Sequence, residues 1–248
     1  MPEVLYDGLD SVVLAGRFHL PRVVVFDRTT STMDEAHALA AGAAPAGTLV
    51  LAHMQTHGRG RGGAQWIGIA GSSILCTLIE RPSSAAVLDV LSLRVGLGIA
   101  AALDAFADQP IGVKWPNDLI VDGGKFAGIL IETRWREGRP DWVAIAAGVN
   151  VGEAPGEIEG ARGLRSGGSR VEVLDAIIPA MRRAAMQEGP LTHAESVAWH
   201  GRDQLVGRRV RSPVVGVARG ILPTGEVQIE TPDGLTALRS GSITMEDE

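Results

Sequence analysis

Two short segments combine residue types suited to binding an anionic ligand. The first, residues 55–63, has the sequence Gln-Thr-His-Gly-Arg-Gly-Arg-Gly-Gly. Its glycines allow the backbone to approach a ligand closely, and Arg59 and Arg61 can each hold a carboxylate or phosphate through paired hydrogen bonds. The segment therefore predicts an anion-binding loop, with a flexible surface turn as the alternative.

The spacing of Gly58, Gly60 and Gly63 also fits the dinucleotide-binding pattern G-x-G-x-x-G. That pattern requires a helix directly after the glycines, because the N-terminus of the helix meets the pyrophosphate. Residues 67–80 instead contain two further glycines and then a β-rich run. We therefore reject dinucleotide binding, and we interpret His57 as a loop residue rather than a ligand.

The second segment is Lys114-Trp115-Pro116-Asn117-Asp118, which is followed by Lys125. A cation, an indole, a proline that fixes φ and two short polar side chains predict a rigid corner between two strands. For Asp118, hydrogen bonding to nearby turn amides and metal ligation both remain open.

Lysine usage draws attention to the same segment. Among 23 basic residues, only Lys114 and Lys125 are lysines. A codon preference for arginine explains the general bias. The two exceptions nevertheless suggest positions that need a compact, strongly hydrated charge on a flexible stem, which a guanidinium does not provide.

The pattern of apolar residues predicts the elements that position these segments. Thr32 and Glu35 have the spacing of a capping box at the start of a helix. Gly123-Gly124 predicts a hairpin turn, and residues 138–140 predict a second turn. The predicted strands are 23–26, 48–54, 73–80, 118–121, 125–135 and 142–151, and the predicted helices are 32–41, 86–107, 171–188 and 193–199. Hairpin-linked strands after a helix indicate an α+β fold with a mixed or antiparallel sheet.

The C-terminal part of the chain has a different pattern. Residues 153–168 are rich in glycine, proline and charge, and predict a mobile surface loop. Beyond residue 205, short alternating strands with Gly and Pro turns predict a small β-barrel of about forty residues. We therefore expect two domains, residues 1–203 and residues 204–248.

Composition excludes several classes of protein. The chain has 248 residues, 45% hydrophobic, and a net charge of −6, which argues against a general nucleic-acid binder. Cys76 is the only cysteine and lies in an apolar run, so we expect a buried hydrophobe rather than a reactive thiol. No apolar run approaches the roughly 18 residues of a membrane span, so we expect no membrane association and a cytoplasmic location.

Together, these segments resemble the biotin–protein ligase family over roughly residues 23–151. The resemblance is carried by Thr30-Ser31-Thr32-Met33, Gln55, Gly58-Arg59-Gly60-Arg61-Gly62-Gly63, Trp66, Lys114-Trp115-Pro116-Asn117-Asp118-Leu119, Lys125-Phe126-Ala127-Gly128-Ile129-Leu130 and Gly148-Val149-Asn150. Gly62 stands where the family usually has another arginine, and Met33 stands where it commonly has asparagine. A lipoate or octanoate ligase or transferase, and a non-catalytic biotin-binding module of the same fold, remain alternatives.

The resemblance implies a catalytic domain like those of class II synthetases and biotin–lipoate ligases, with helices flanking a mixed sheet, and a C-terminal SH3-like β-barrel. It implies activation of biotin by ATP, accompanied by Mg²⁺ whose ligands it does not identify, and transfer to a lysine of the biotin carboxyl carrier protein of a biotin-dependent carboxylase. The short stretch before residue 23 leads us to expect no DNA-binding domain and no DNA partner. Formation of a homodimer is left open.

The resemblance also implies roles for individual residues of this sequence. The catalytic residues would be Lys114 and Arg61. Biotin would be bound by Ser31, Thr32, Met33, Gln55, Arg59, Gly60, Arg61 and Lys114, and ATP by Arg59, Arg61, Trp66, Asn117, Lys125 and Asn150.

Overall fold

The structure, a computed structural model, describes residues 3–164 and 168–246. Within them, two β-sheets and five α-helices follow one another along the chain. The helices are α1 (Ser11–Arg17), α2 (Thr32–Ala41), α3 (Leu91–Leu103), α4 (Arg170–Met186) and α5 (His193–His200). The first sheet contains β1 (Arg22–Thr29), β2 (Thr48–Gln55), β3 (Ser73–Glu80), β4 (Gly112–Lys114), β5 (Asp118–Val121), β6 (Gly124–Arg136) and β7 (Arg139–Asn150). The second contains β8 (Arg209–Ser212), β9 (Gly216–Ile221), β10 (Val227–Thr231), β11 (Gly234–Leu238) and β12 (Thr244–Met245).

The first sheet is mixed, as the sequence predicts. Its strand order is β1-β2-β3-β7-β6-β5-β4. Only β1 and β2 are parallel, and every other neighbouring pair is antiparallel. β3 is the third strand of this order and is buried along its whole length, because α2 and α4 both pack against it. The α+β class is therefore confirmed.

Helices pack on the two faces of this sheet unequally. α3 and α4 contribute most of the helical side chains of the main apolar core on one face, together with Leu14 of α1. On the other face α2 packs alone over a smaller apolar cluster that includes Met33, Ala36 and Trp142. α2 packs against β7 near Trp142 and Ala144, and it does not extend to Gly128 and Gly148 farther along β6 and β7. The glycine-rich loop after β2 covers that part of the face instead.

Three local predictions differ from the structure. Ser31, not Thr32, caps α2, because its hydroxyl accepts a hydrogen bond from the Met33 amide. The predicted helix 86–107 is shorter: α3 spans Leu91–Leu103, and a 3-10 turn lies at each side of it. The two hairpin turns lie one residue earlier than predicted. They use Asp122-Gly123 and Glu137-Gly138, in which both residues have positive φ.

The second sheet docks against the first through the corner formed by residues 114–118, which contains Trp115. Trp115 is buried, and its indole N–H donates to the Gly225 carbonyl oxygen at 2.9 Å. The segment between α5 and β8 is joined to β4, because the Val113 amide donates to the Arg202 carbonyl oxygen and Val113 accepts from the Gln204 amide, each at 2.9 Å. Sequence patterns predicted neither β4 nor α1.

In the described ranges, every helix is too short or too polar to span a lipid bilayer.

Candidate active site

A bare patch of the first sheet forms the floor of the site. Gly128 on β6 pairs in register with Gly148 on β7. The indole ring of Trp66 lies on this patch: a Cβ atom on Gly128 would be 3.1 Å from Trp66 Cζ3, and one on Gly148 would overlap the ring. Two glycines side by side therefore provide the space that a flat side chain or ligand needs.

The loop above this floor has defined backbone contacts. The Trp66 amide donates to the Gly58 carbonyl oxygen at 3.0 Å, and the Gly60 amide donates to the Ala64 carbonyl oxygen at 2.8 Å. A Cβ atom on Gly58 would overlap the Trp66 backbone. Gly62 and Gly63 close the tip with positive φ. The loop is thus a small hairpin. Its backbone at Gly58, Gly62 and Gly63 requires glycine, either for lack of space or because φ is positive.

Two neighbouring cavities lie beside Trp66. The larger, about 190 Å³, is lined by Arg59, Gly60, Arg61, Ala64, Gln65, Trp66, Asn117, Asp118, Lys125, Gly128, Ile129, Leu130, Ala146, Gly148 and Ser242. The smaller, about 150 Å³, is lined by Gln65, Trp66, Ile67, Lys125, Asn150, Pro155, Ile158, Glu159 and Ala161. Three cationic side chains face the first cavity against one carboxylate, whereas the second is mainly apolar. The pair suits a ligand with an anionic part and a flat, weakly polar part.

Lys125 is at the junction of the two cavities. Its Nζ atom is 2.6 Å from Asp118 Oδ1 and 5.6 Å from the centroid of the Trp66 ring. Lys114 is the last residue of β4, opposite Asp118 in register, and is not among the residues that line these two cavities. Of the two lysines, Lys125 rather than Lys114 therefore lines these cavities.

The two asparagines assigned to ATP line different cavities and already have protein partners. Asn117 Nδ2 donates to the Ile129 carbonyl oxygen at 2.6 Å, so this side chain fastens the corner to β6. Asn150 is buried; its Oδ1 accepts from Ser73 Oγ at 3.1 Å and its Nδ2 donates to the Arg162 carbonyl oxygen at 3.2 Å. These bonds fix the orientation of both amides.

The residues assigned to biotin at the start of α2 form a buried polar cluster. The Thr32 amide and hydroxyl both donate to Gln55 Oε1, at 2.7 and 3.0 Å, and Thr32 Oγ1 accepts from Thr77 Oγ1 at 2.9 Å. Ser31 caps the helix, and Met33 belongs to the apolar cluster under α2. The structure brings these residues together beneath the start of the loop, and none of them lines either of the two cavities.

Arg59 and Arg61 have different environments. The Arg59 guanidinium is bound by Asp34 and Glu132. Burial lowers the pKa of Arg59, but hydrogen bonds and ion pairs with these two carboxylates outweigh it and raise the pKa overall. Arg61 makes no side-chain hydrogen bond or ion pair within residues 3–164 and 168–246, and it lines the larger cavity.

The segment predicted as a mobile loop is partly fixed at the site. The Lys125 amide donates to the Gly160 carbonyl oxygen, and the Arg162 amide donates to the Lys125 carbonyl oxygen, each at 2.9 Å. The Leu164 amide donates to the Asn150 carbonyl oxygen at 2.9 Å. Residues 158–164 are thus a cover over the smaller cavity rather than a free loop, while residues 165–167 of the predicted loop lie outside the described ranges.

Other side chains fit a structural role. Cys76 is buried, and burial raises the pKa of its thiol to about 12, which confirms that it is a core residue. Among the residues that the structure describes, no group of three His, Cys, Asp or Glu side chains could hold a metal ion. Asp118 therefore has Lys125, not a group of neighbouring acids, as its partner.

The pocket is cationic, has two glycines of the mixed sheet as its floor and lies beneath a loop that carries two arginines. These features define a site for an anionic small molecule with a planar group. Comparison with known proteins gives the family. The model of the Biotin/lipoate A/B protein ligase family matches residues 25–150, and the chain belongs to this family.

Curated relatives extend the similarity over most of the chain. The chain is 32% identical to a biotin--[acetyl-CoA-carboxylase] ligase of Paracoccus denitrificans, over 87% of this chain and 97% of that protein. It is 30% identical to the bifunctional ligase/repressor BirA of Bacillus spizizenii, over 88% of this chain and 72% of that protein. The biotin protein ligase of Aquifex aeolicus, solved in complex with biotin and ATP, has the same fold, with a TM-score of 0.75 and 24% identity, covering 90% of this chain and 98% of that one.

Proposed function

We propose that this chain is a biotin–protein ligase, which activates biotin with ATP and transfers it to a carrier protein. The observation that carries the proposal is the cationic cavity under the Arg59–Arg61 loop, in a chain whose relatives are named biotin ligases. The relative from Paracoccus denitrificans is named for acetyl-CoA carboxylase. We accordingly propose a biotin carboxyl carrier protein as the acceptor.

The reaction has two steps. A biotin carboxylate oxygen attacks the α-phosphorus of ATP, the bond to the β-phosphate oxygen breaks, and pyrophosphate leaves. The amine of a carrier lysine then attacks the carbonyl carbon of the mixed anhydride, loses a proton and releases AMP. Both steps concentrate negative charge, so the protein must position the reactants and stabilise that charge.

Individual residues fit these demands. We assign Lys114 to the reacting carboxylate and α-phosphate, and Arg61 to the adenylate, because Arg61 borders the cationic cavity without a protein partner in the described ranges. Trp66 and Asn150 would hold adenine, since both line the smaller, mainly apolar cavity. The polar cluster of Ser31, Thr32 and Gln55 offers donors and acceptors for the ureido ring of biotin.

Mg²⁺ enters the proposal only as the companion of ATP. Mg²⁺ typically keeps several waters and binds substrate phosphates, so we propose that phosphate oxygens and water supply most of its ligands. The work of the chain itself is to hold and orient the two substrates.

The second sheet completes the proposed organisation. We propose that residues 204–248 form an SH3-like barrel and that residues 1–203 form the catalytic domain. The division is supported by the separate five-stranded order β11-β10-β9-β8-β12, whose strands all lie after residue 204.

The decisive experiment is exchange of labelled pyrophosphate into ATP by the purified chain without a carrier. Biotin should support exchange, and lipoate or octanoate should not. Incubation with biotin, MgATP and a carboxylase carrier domain should then add one biotinyl group to the mass of that domain. Exchange with lipoate alone would identify a lipoate ligase instead, and binding of biotin without exchange would indicate a non-catalytic module.

A further inference from the structure

The Arg59 guanidinium is held by carboxylates from two different elements. Its Nη1 atom donates to Asp34 Oδ1 of α2 at 2.7 Å, and its Nη2 atom donates to Glu132 Oε1 of β6. Glu132 lines the broad groove beneath residues 57–65. Because both terminal nitrogens of Arg59 are engaged, this side chain fastens the loop to the body of the protein.

His37 fixes the other oxygen of Glu132. His37 Nε2 is 2.9 Å from Glu132 Oε2, and Trp142 Nε1 is 3.0 Å from His37 Nδ1. An indole N–H can only donate, so Nδ1 must accept, and the ring proton of neutral His37 is on Nε2, where it donates to Glu132. The carboxylate is therefore oriented by His37 on one oxygen and binds Arg59 with the other.

The base of this chain of contacts is rigid. Trp142 is buried, and the Arg81 guanidinium lies 5.9 Å from the centroid of its ring. Arg81 also donates to the carbonyl oxygens of Ala40, in the last turn of α2, and Ala44, just after the helix, at 3.0 and 3.2 Å. A path of hydrogen bonds thus leads from buried Trp142 through His37 and Glu132 to Arg59 in the loop.

We propose that Glu132, oriented by His37, is a positioning residue that holds the loop of residues 57–65 against β6 through Arg59. The positioning of the loop stands on these contacts alone, and its effect on ATP and on the adenylate rests on the proposed function. In this proposal Arg59 fixes the position of the loop, and Arg61 is the arginine that binds the ligand.

Limited proteolysis of the ligand-free chain tests the positioning directly, because trypsin cuts after arginine and Arg61 is at the tip of the loop. Glu132→Gln and His37→Leu should each speed cleavage after Arg61 by about fivefold, the scale expected for a partly exposed ion pair. His37→Gln should keep the parental rate, since its amide N–H can donate to Glu132. The matched control is Glu230→Gln, which removes a carboxylate paired with Arg219 on the second sheet.

A double-variant cycle separates this role from a general loss of stability. In an Arg59→Ala background, Glu132→Gln should not change cleavage after Arg61 any further. The same non-additivity should hold for the KM of ATP in biotin-dependent exchange, with kcat little affected by Glu132→Gln. Thermal unfolding of each variant shows whether it is folded. If Glu132→Gln does not fold, the difference in cleavage rate between His37→Gln and His37→Leu tests the positioning role instead.

The outcomes of the two proposals are distinguishable. Parental cleavage rates in both Glu132→Gln and His37→Leu would overturn the positioning role, even in an active ligase. Equal effects of Glu132→Gln with and without Arg59 would overturn it as well. Absence of biotin-dependent exchange in the parent would overturn the proposed function and leave the proteolysis result in place.

Discussion

Gly128 and Gly148 face each other across β6 and β7, and the Trp66 indole covers both. The ring also forms a wall of both cavities beside it. Its position is therefore set by the absence of two side chains rather than by a hydrogen bond. This relationship makes the glycines as important to the site as the residues that carry charge.

Gly148→Ala tests this relationship, because the added methyl group would overlap the Trp66 ring. We expect the ring to be displaced and the KM for ATP in the exchange assay to rise about tenfold, the scale of one lost aromatic contact. Gly16→Ala is the control, since a Cβ atom there meets nothing within 4 Å and its φ is ordinary. An unchanged KM for Gly148→Ala would mean that Trp66 does not hold adenine.

The two lysines should respond differently to replacement by arginine. A guanidinium is planar and wider than an ammonium group, so Lys114→Arg should slow adenylate formation by about a hundredfold, with a smaller effect on biotin binding. Lys125→Arg should reduce the rate by less than about tenfold, because arginine can keep the ion pair with Asp118. Single-turnover formation of the adenylate measures both. Parental activity of Lys114→Arg would show that a compact charge is not required there.

Arg61→Gly should release the reactive intermediate. Arg61 borders the larger cavity and has no side-chain partner within the described ranges, so its loss should leave the fold unchanged and weaken closure over the adenylate. We expect lysines of unrelated bystander proteins to become biotinylated, which blotting with streptavidin detects. A variant that retains the adenylate as long as the parent would exclude a role for Arg61 in holding it.

Asp104→Asn should reduce stability in a pH-dependent way. A hydrogen bond from Arg202 holds the pKa of Asp104 below its ordinary value, with help from the Ile111 amide. A lowered carboxyl pKa contributes stability above the unfolded-state pKa, and this contribution is lost as the pH falls through the folded-state pKa. At pH 7 we expect the free energy of unfolding to fall by about 1 kcal/mol, a value that allows for partial exposure.

The difference between parent and Asp104→Asn should begin to shrink below about pH 4, the ordinary range of a carboxyl pKa, and should vanish once the pH is below the lowered folded-state pKa of Asp104, where both proteins carry an uncharged group. Denaturant unfolding at several pH values measures it. Asp27→Asn is the control, because Asp27 is exposed and makes no ion pair with any described residue. A difference that persists undiminished in acid would assign the effect to packing rather than to charge.

Sequence patterns predicted the elements whose signals are local. β3 has the predicted bounds, 73–80, because an apolar run ends at Arg81-Pro82. α2 begins and ends where the polar residues and Gly42 indicate. The hairpin turns were displaced by one residue because Asp122 and Glu137 adopt positive φ, which a search for paired glycines does not detect.

Contacts between distant residues were not predictable in the same way. The three residues of β4 are too few for a periodic pattern. Glu132 and His37 are 95 residues apart in sequence, and their pairing depends on how α2 crosses the sheet. The motif residues Ser31, Thr32, Gln55 and Trp66 could be chosen by resemblance, but only the folded chain shows that Trp66 is at the cavities while Thr32 and Gln55 bind each other.

The position of β3 has a further consequence during synthesis of the chain. Ser73 of β3 pairs with Asn150 of β7, 77 residues later, so one edge of β3 has no partner until β7 has left the ribosome. The strand has the sequence Ser-Ile-Leu-Cys-Thr-Leu-Ile-Glu, without proline and with its only charge at the end. An apolar edge strand of this kind can pair with another copy of itself. Nascent chains that stall before residue 139 are therefore expected to aggregate, and chaperones would have to protect this strand until β7 is made.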